Sequence, residues 1–242
     1  MRATNWEFKN RAMIFGLIFG FSFSAYFLDP QNSAAALANW LGAARGIDSN
    51  LIARSLFALA AGLLVVAALV RTWASAYLNA SVVYASEVKS ESLVADGPYR
   101  RTRNPLYFAN LLLALGMGAM MSRVGFFVAF VAMAVFCYRL IFREEAELQA
   151  SLGERYKRYQ NAVPRLWPAP QPCTASSGRQ ANWAAGFRAE FWCWGFAVAV
   201  AAFAITLNTT AFFVILGASV IVLWLSSLVI EKKTRGARPA DS

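Results

Sequence analysis

The residues that could do chemistry gather in two polar stretches flanking a pair of apolar segments. The first stretch, 91–107, contains Arg103, Asn104 and Tyr107, and the second, 139–165, contains Glu144 and Glu145. The sequence has no histidine, which excludes imidazole bases and imidazole metal ligands. Its three cysteines form no CxxC pair, so no metal site is predicted.

The spacing within these stretches indicates an ion-binding site. Gly97-Pro98 predicts a turn, and Pro105 suits the first turn of a helix, where its missing N–H costs nothing. Such a helix start offers backbone N–H groups to an anion, while Glu144 and Glu145 could accept from an ammonium group. A zwitterion would suit this arrangement. Equally, the arginines could be plain topology determinants and the two glutamates the solvated start of a helix.

Composition places these stretches at a membrane. Of 242 residues, 58% are hydrophobic and only 15% are charged, with a mean hydropathy of +0.45. An average soluble domain has roughly 25% charged residues. The net charge of +10 is therefore expected to face anionic lipid rather than nucleic acid.

Charge-poor windows predict an all-α polytopic membrane bundle of about six transmembrane helices. The predicted spans are 12–28, 55–78, 104–122, 124–142 and two within 191–230, joined by a turn at 207–210. All but three of the 23 Lys and Arg residues then fall on the side of both termini and of loops 79–103 and 143–188. By the positive-inside rule that side is cytoplasmic.

Two smaller features concern the first third of the chain. Residues 33–44 are expected to form a short interfacial or re-entrant helix. Gly16 and Gly20 form a GxxxG pattern, which predicts close helix packing inside the bundle, with a homodimer contact as the alternative.

The polar stretches resemble a known family. Gly97, Tyr99, Arg103, Pro105 and Tyr107, followed by an apolar hairpin, Glu144-Glu145 and a G-x-x-Y-x-x-Y run at 153–159, are similar to the integral-membrane methyltransferases. That group includes the isoprenylcysteine carboxyl methyltransferases and the phospholipid N-methyltransferases. The resemblance covers about residues 50–167. One departure is Asn104, which stands where the family pattern has histidine.

The resemblance implies S-adenosylmethionine as cofactor, bound on the cytosolic side. It assigns cofactor binding to ten residues: Leu93, Val94, Gly97, Tyr99, Arg103, Asn104, Pro105, Tyr107, Glu144 and Glu145. Aromatic faces such as Tyr99 or Tyr107 could steady the sulfonium. Arg139 is the candidate for holding an anionic group of the substrate, or alternatively for reaching lipid headgroups. No catalytic residue is assigned.

Four regions follow from this organisation. They are an N-terminal transmembrane helix with an interfacial segment (1–50), a methyltransferase-like core (51–167), a linker (168–190), and a C-terminal transmembrane hairpin with a basic tail (191–242). The expected function is methylation of a lipophilic substrate at the cytosolic membrane face, most simply a carboxylate of isoprenylcysteine type. An already anionic carboxylate needs no base, which agrees with the absence of histidine. The alternatives are phospholipid-type N-methylation, a membrane reductase that uses a nicotinamide cofactor, and a lipid-binding protein.

Overall fold

The computed structural model describes residues 2–78, 93–219 and 221–222. Across these residues the regular elements are helices, so the all-α prediction is confirmed for this part of the chain. The α-helices are α1 (Asn5–Lys9), α2 (Arg11–Ser24), α3 (Ser33–Arg45), α4 (Ser49–Tyr77), α5 (Pro105–Gly118), α6 (Arg123–Leu152), α7 (Glu154–Ala162), α8 (Trp183–Thr206) and α9 (Thr209–Ser219). Much of loop 79–103, the end of the last predicted span and the basic tail 231–242 lie outside the described residues.

Three of the described helices, α4, α6 and α8, are long and apolar enough to cross a membrane. Three shorter apolar helices, Arg11–Phe27, Pro105–Gly118 and Thr209–Ser219, coincide with the remaining predicted spans. Pro105–Gly118 has 14 residues, or about 21 Å at ~1.5 Å each, against a hydrocarbon core of about 30 Å. A multi-helix membrane architecture therefore holds, while the count of six crossings stays a prediction.

Two helices extend beyond the spans predicted for them. The helix of the span expected to begin at residue 55 begins at Ser49, because Asp48 caps α4 by accepting a hydrogen bond from the N–H of Asn50 at 2.9 Å. The helix of the span expected to end at 142 continues to Leu152, because no glycine or proline interrupts it before Gly153. Glu144 and Glu145 consequently lie inside a continuous helix and not at a helix start.

The end of the bundle opposite these glutamates is closed by the turn between α5 and α6. The N–H of Ser33 donates to the carbonyl of Met121 at 2.9 Å, which attaches the start of α3 to this turn. Asp29 forms a bidentate ion pair with Arg123, the first residue of α6, at 3.0 Å. These contacts fix α5 and α6 as an antiparallel hairpin, as the sequence predicts.

Helix α4 lies at the centre of the bundle. Its buried face, which includes Leu64 and Ala68, packs against α5 through Leu113 and against α8 through Ala197 and Val200. A second apolar cluster joins the N-terminal segment to the hairpin. Helix α8 lies outside residues 50–167, which the family resemblance covers, and it packs directly on the central helix.

The outer surface carries many large apolar side chains. Phe21, Phe127 and Ile205 are 69%, 69% and 74% exposed, as expected for helices that face lipid. Gly16 and Gly20 lie on the same surface, and a Cβ at either position would have nothing within 4 Å. The prediction that this GxxxG pair packs inside the bundle is therefore wrong, because that side of α2 points outward.

Candidate functional site

The turn that leads into α5 depends on a glycine packed against the end of α4. Gly97 has φ +58°, a left-handed conformation that glycine adopts without strain. A Cβ at Gly97 would overlap the ring of Tyr77, the last residue of α4. Residues Gly97–Arg100 then form a 3₁₀ turn, in which the N–H of Tyr99 donates to the carbonyl of Asp96 at 3.1 Å.

Tyr99 is a buried phenol at the centre of the site. Helix α7 supports it from outside, where Tyr159 Oη donates to the carbonyl of Tyr99 at 2.7 Å. Burial raises the pKa of Tyr99 well above its usual range, and the neighbouring Tyr159 and Glu144 raise it further.

Leu93 and Val94 lead into this turn. Leu93 packs against a cluster formed by Tyr156, Tyr159 and Val163, whereas Val94 is half-buried. Leu93 therefore attaches the start of this segment to α7.

The start of α5 is built as predicted, with Pro105 at its first position and Asn104 as the N-cap. No side chain caps this helix start, since the Asn104 amide turns away and donates from Nδ2 to the carbonyl of Arg165 at 2.9 Å. Asn104 is buried. A neutral amide therefore stands where the family pattern has histidine, and it donates to a backbone carbonyl.

Glu145 is the anchor of a buried ion-pair network. Its Oε1 lies 3.0 Å from Nη2 of Arg103, and its Oε2 lies 3.0 Å from Nη2 of Arg165. The Asn104 amide lies at 3.5 Å from the same carboxylate. Two positive charges thus compensate one buried negative charge, and the backbone N–H of Arg103 also donates to the carbonyl of Pro164 at 2.9 Å. Glu145 joins the start of α5 to the segment after α7.

Glu144 has a different environment. Its Oε1 accepts a hydrogen bond of 2.6 Å from Oη of Tyr107, on the face of α5 that packs against α6. This partner is a neutral phenol. Of the two adjacent glutamates, Glu144 is the one that is hydrogen-bonded to a phenol, whereas Glu145 is paired with arginines.

Residues 164–179 wrap around the start of α5. Oγ1 of Thr102 donates to the carbonyl of Leu166 at 3.0 Å, and Nε of Arg100 donates to the carbonyl of Thr174 at 2.7 Å. Asp96 accepts hydrogen bonds from the Ser176 hydroxyl at 2.7 Å and the Ser177 N–H at 2.9 Å. Burial by itself would raise the pKa of Asp96, but these serine bonds hold it at about 2.

Arg139 lies on α6, more than three turns from its end. Its Nη2 lies 2.9 and 2.7 Å from the two carboxylate oxygens of Glu7 in α1. That hydrogen bond holds the pKa of Glu7 at about 2. Phe8, next to Glu7, is buried among Tyr107 and Leu140, so the N-terminal segment forms one wall of the site.

Sequence reasoning missed a second buried polar cluster. Arg71 of α4 donates from Nε to Glu190 of α8 at 2.6 Å and from Nη1 to Oδ1 of Asn110 at 2.5 Å. Ser75 Oγ donates to the same glutamate at 2.6 Å. Glu190 is fully buried. The sequence does place Arg71 and Glu190, which have opposite charges, near the ends of two predicted spans. Ionisable residues inside a membrane usually pair, so this pairing could have been considered.

The described residues offer no site for a metal, because no group of three or more His, Cys, Asp and Glu side chains converges there. An open cavity of about 420 Å³ lies on the outer side of Glu145, between α6 and α7. Its lining residues are Arg2, Phe142, Glu145, Ala146, Gln149 and Gln160.

The arrangement suits a zwitterion, which has an ammonium group and a carboxylate. Glu144 offers a carboxylate with a neutral partner, the start of α5 offers an end without a side-chain cap, and Tyr99 and Tyr107 offer buried rings. The donor set therefore fits the amino-acid part of S-adenosylmethionine.

Comparison with known proteins points to the same part of the chain. Residues 55–155 match the family model for phospholipid methyltransferase. Two curated relatives are the cobalt-zinc-cadmium resistance protein CzcN of Cupriavidus metallidurans, 33% identical over 86 residues, and the nickel-cobalt-cadmium resistance protein NccN of Alcaligenes xylosoxydans xylosoxydans, 29% identical over 86 residues. Each match covers 36% of this chain and 40% of the relative, well under half of either protein. No solved structure matches.

The matched segment contains most of α4, the Gly97 turn, α5 and α6, and with them Tyr107 and Glu144. Helix α8 and Glu190 lie outside it. Residues 55–155 of this membrane protein are therefore similar to the phospholipid methyltransferase family.

Proposed function

We propose that the protein is an S-adenosylmethionine-dependent methyltransferase that methylates a lipophilic substrate at the cytosolic membrane face. The observation that carries the proposal is the Tyr107–Glu144 hydrogen bond, 2.6 Å long, at the junction of α5 and α6 within the matched segment. When bound, S-adenosylmethionine supplies a methyl group that a nucleophile takes in line, while the electron pair of the broken C–S bond stays on sulfur.

The protein's own residues would bind the cofactor and orient it. Glu144 would accept hydrogen bonds from the cofactor's ammonium group, and Tyr107 Oη, which donates to Oε1, would hold that carboxylate in place. The uncapped start of α5 would face the cofactor's carboxylate. Burial of Tyr99 and Tyr107 would exclude water from the reacting atoms.

Glu145 would support the site without touching the cofactor. Its carboxylate is occupied by Arg103 and Arg165, so it has little capacity left for a ligand. Arg103 and Glu145, both assigned to cofactor binding by the resemblance, would instead fix the start of α5 against the segment after α7. Arg139 would act on a substrate anion only after exchanging its partner Glu7.

A carboxylate of isoprenylcysteine type is the proposed substrate class, because an anionic oxygen needs no base and the chain has no histidine. The second candidate is the amine of a phospholipid, which the name of the matched family favours. An amine must lose a proton before it attacks, and Glu144 is the carboxylate nearest to that role. A membrane reductase and a lipid-binding protein are the alternatives outside methyl transfer.

Methyl labelling of membranes distinguishes these functions. Membranes that contain the protein are incubated with S-adenosylmethionine carrying tritium in its methyl group, and the lipid-soluble products are treated with base. A carboxyl methyl ester releases labelled methanol, whereas an N-methyl group keeps its label. Absence of protein-dependent label in both fractions would contradict methyl transfer altogether.

A further inference from the structure

The buried Arg71–Glu190 cluster lies directly below the candidate site. Asn110 follows Tyr107 by three residues on α5, about one turn or ~4.5 Å along the helix. Cys137 precedes Glu144 by seven residues on α6, about two turns or ~10 Å. Asn110 and Cys137 thus form a layer beneath the Tyr107–Glu144 pair.

Polar contacts join three helices at this level. Glu190 of α8 binds Arg71 of α4 at 2.6 Å, and Arg71 binds Asn110 of α5 at 2.5 Å. The buried Cys137 of α6 belongs to the apolar cluster that includes Tyr107. The ring of Trp192 lies 5.1 Å from the Arg71 guanidinium and covers it.

The network also reaches the turn of the site through α4. Tyr77, six residues after Arg71 on α4, has its ring against Gly97, which begins the turn that contains Tyr99. Movement of Arg71 would therefore change the support of this turn and the rotation of α5, which carries Tyr107.

We propose that Glu190, outside the matched domain, is a positioning residue for methyl transfer, which acts through Arg71 and Asn110 to fix α5 and the Tyr107–Glu144 pair. The inference rests on the proposed function. Helix α8 would then help to position the reacting groups, in addition to packing on the central helix. A displacement of about 1 Å at a reacting group can cost 10²-fold in rate, so a network that fixes one helix rotation would act mainly on turnover.

The test separates positioning from folding by removing both charges together. Glu190→Gln alone leaves Arg71 without its compensating charge and is expected to fold poorly. The double variant Arg71→Gln/Glu190→Gln is neutral, and neutral replacement of a buried pair is often tolerated. We expect it to keep its unfolding temperature within a few degrees and its affinity for S-adenosylmethionine within about threefold, while methyl incorporation in membranes falls about 10- to 100-fold.

A neighbouring contact between α4 and α8 provides the matched control. Trp194 Nε1 donates to Thr72 Oγ1 at 3.1 Å, one residue from Arg71 in the chain. Thr72→Val removes this bond and should leave methyl incorporation unchanged. A folded double variant with wild-type incorporation would overturn the positioning role. Absence of incorporation by the wild-type protein would instead overturn the proposed function, and the inference with it.

Discussion

Tyr107 donates a hydrogen bond of 2.6 Å to Glu144, while Glu145, the next residue, is held by two arginines. Adjacent residues on a helix point about 100° apart, so the two carboxylates enter different surroundings. One is tied to a neutral phenol and the other to Arg103 and Arg165. The two adjacent glutamates therefore have different environments, and we propose that Glu144 binds the cofactor while Glu145 is structural.

The first prediction concerns Glu144. Glu144→Gln keeps the shape of the side chain and removes its charge, and a charge-assisted hydrogen bond contributes roughly 1.5–3 kcal/mol. Affinity for S-adenosylmethionine, measured by calorimetry in detergent, should fall about 10- to 150-fold. Glu147, which pairs with Arg143 at 2.7 Å on the outer side of α6, is the control. Glu147→Gln should change affinity by less than about threefold, and equal effects at both positions would refute the assignment.

The second prediction concerns the Gly97 turn. Gly97→Ala places a methyl group onto the Tyr77 ring and forces alanine into a left-handed conformation, which alone costs roughly 1–2 kcal/mol. Gly153 also has a positive φ, +54°, but open space where its Cβ would stand. Thermal unfolding should therefore show a larger drop for Gly97→Ala than for Gly153→Ala. Matching drops would mean that the contact with Tyr77 is unimportant.

The third prediction concerns Asp96 and the segment that wraps it. Asp96→Asn removes the charge that Ser176 and Ser177 contact, so hydrogen exchange at the Ser177 amide should accelerate about tenfold or more. The pKa of Asp96 is lowered to about 2 from an ordinary 3.8. Its stabilising effect is therefore complete above about pH 4 and lost as the pH falls towards 2. Protection at Ser177 should thus be equal at pH 7 and pH 5, and unchanged exchange in the variant would disprove the role of Asp96.

The fourth prediction concerns orientation in the membrane. In a Cys173→Ala background, where the remaining Cys137 and Cys193 are buried, a cysteine at exposed Asn50 should react with an impermeant maleimide on intact cells. A cysteine at exposed Ser151 should react only after permeabilisation. The reverse pattern would place the Glu144 site outside the cell and contradict the cytosolic assignment.

Local features of the site were predictable from sequence because they depend on neighbouring residues. The turn at Gly97, the helix start at Pro105 and the hairpin of α5 and α6 follow from backbone preferences and charge spacing. The continuation of α6 to Leu152 was missed because the charged run suggested the end of a span, although charge does not terminate a helix.

The pairings could not be predicted, since they join residues far apart in the chain. From the sequence, Arg139 is expected to hold a substrate anion or to reach lipid headgroups, and the structure pairs it with Glu7, 132 residues away. Arg71 and Glu190 are 119 residues apart and belong to different predicted regions. In the sequence each of these arginines has no acidic residue beside it. Its partner becomes a neighbour only when the helices pack.

We propose that this bundle binds S-adenosylmethionine at Glu144 and Tyr107, and calorimetry on the purified protein in detergent decides whether it does. We expect micromolar binding of S-adenosylmethionine to the wild-type protein and no binding of NADPH. Binding of NADPH without S-adenosylmethionine, or of neither compound, would contradict it.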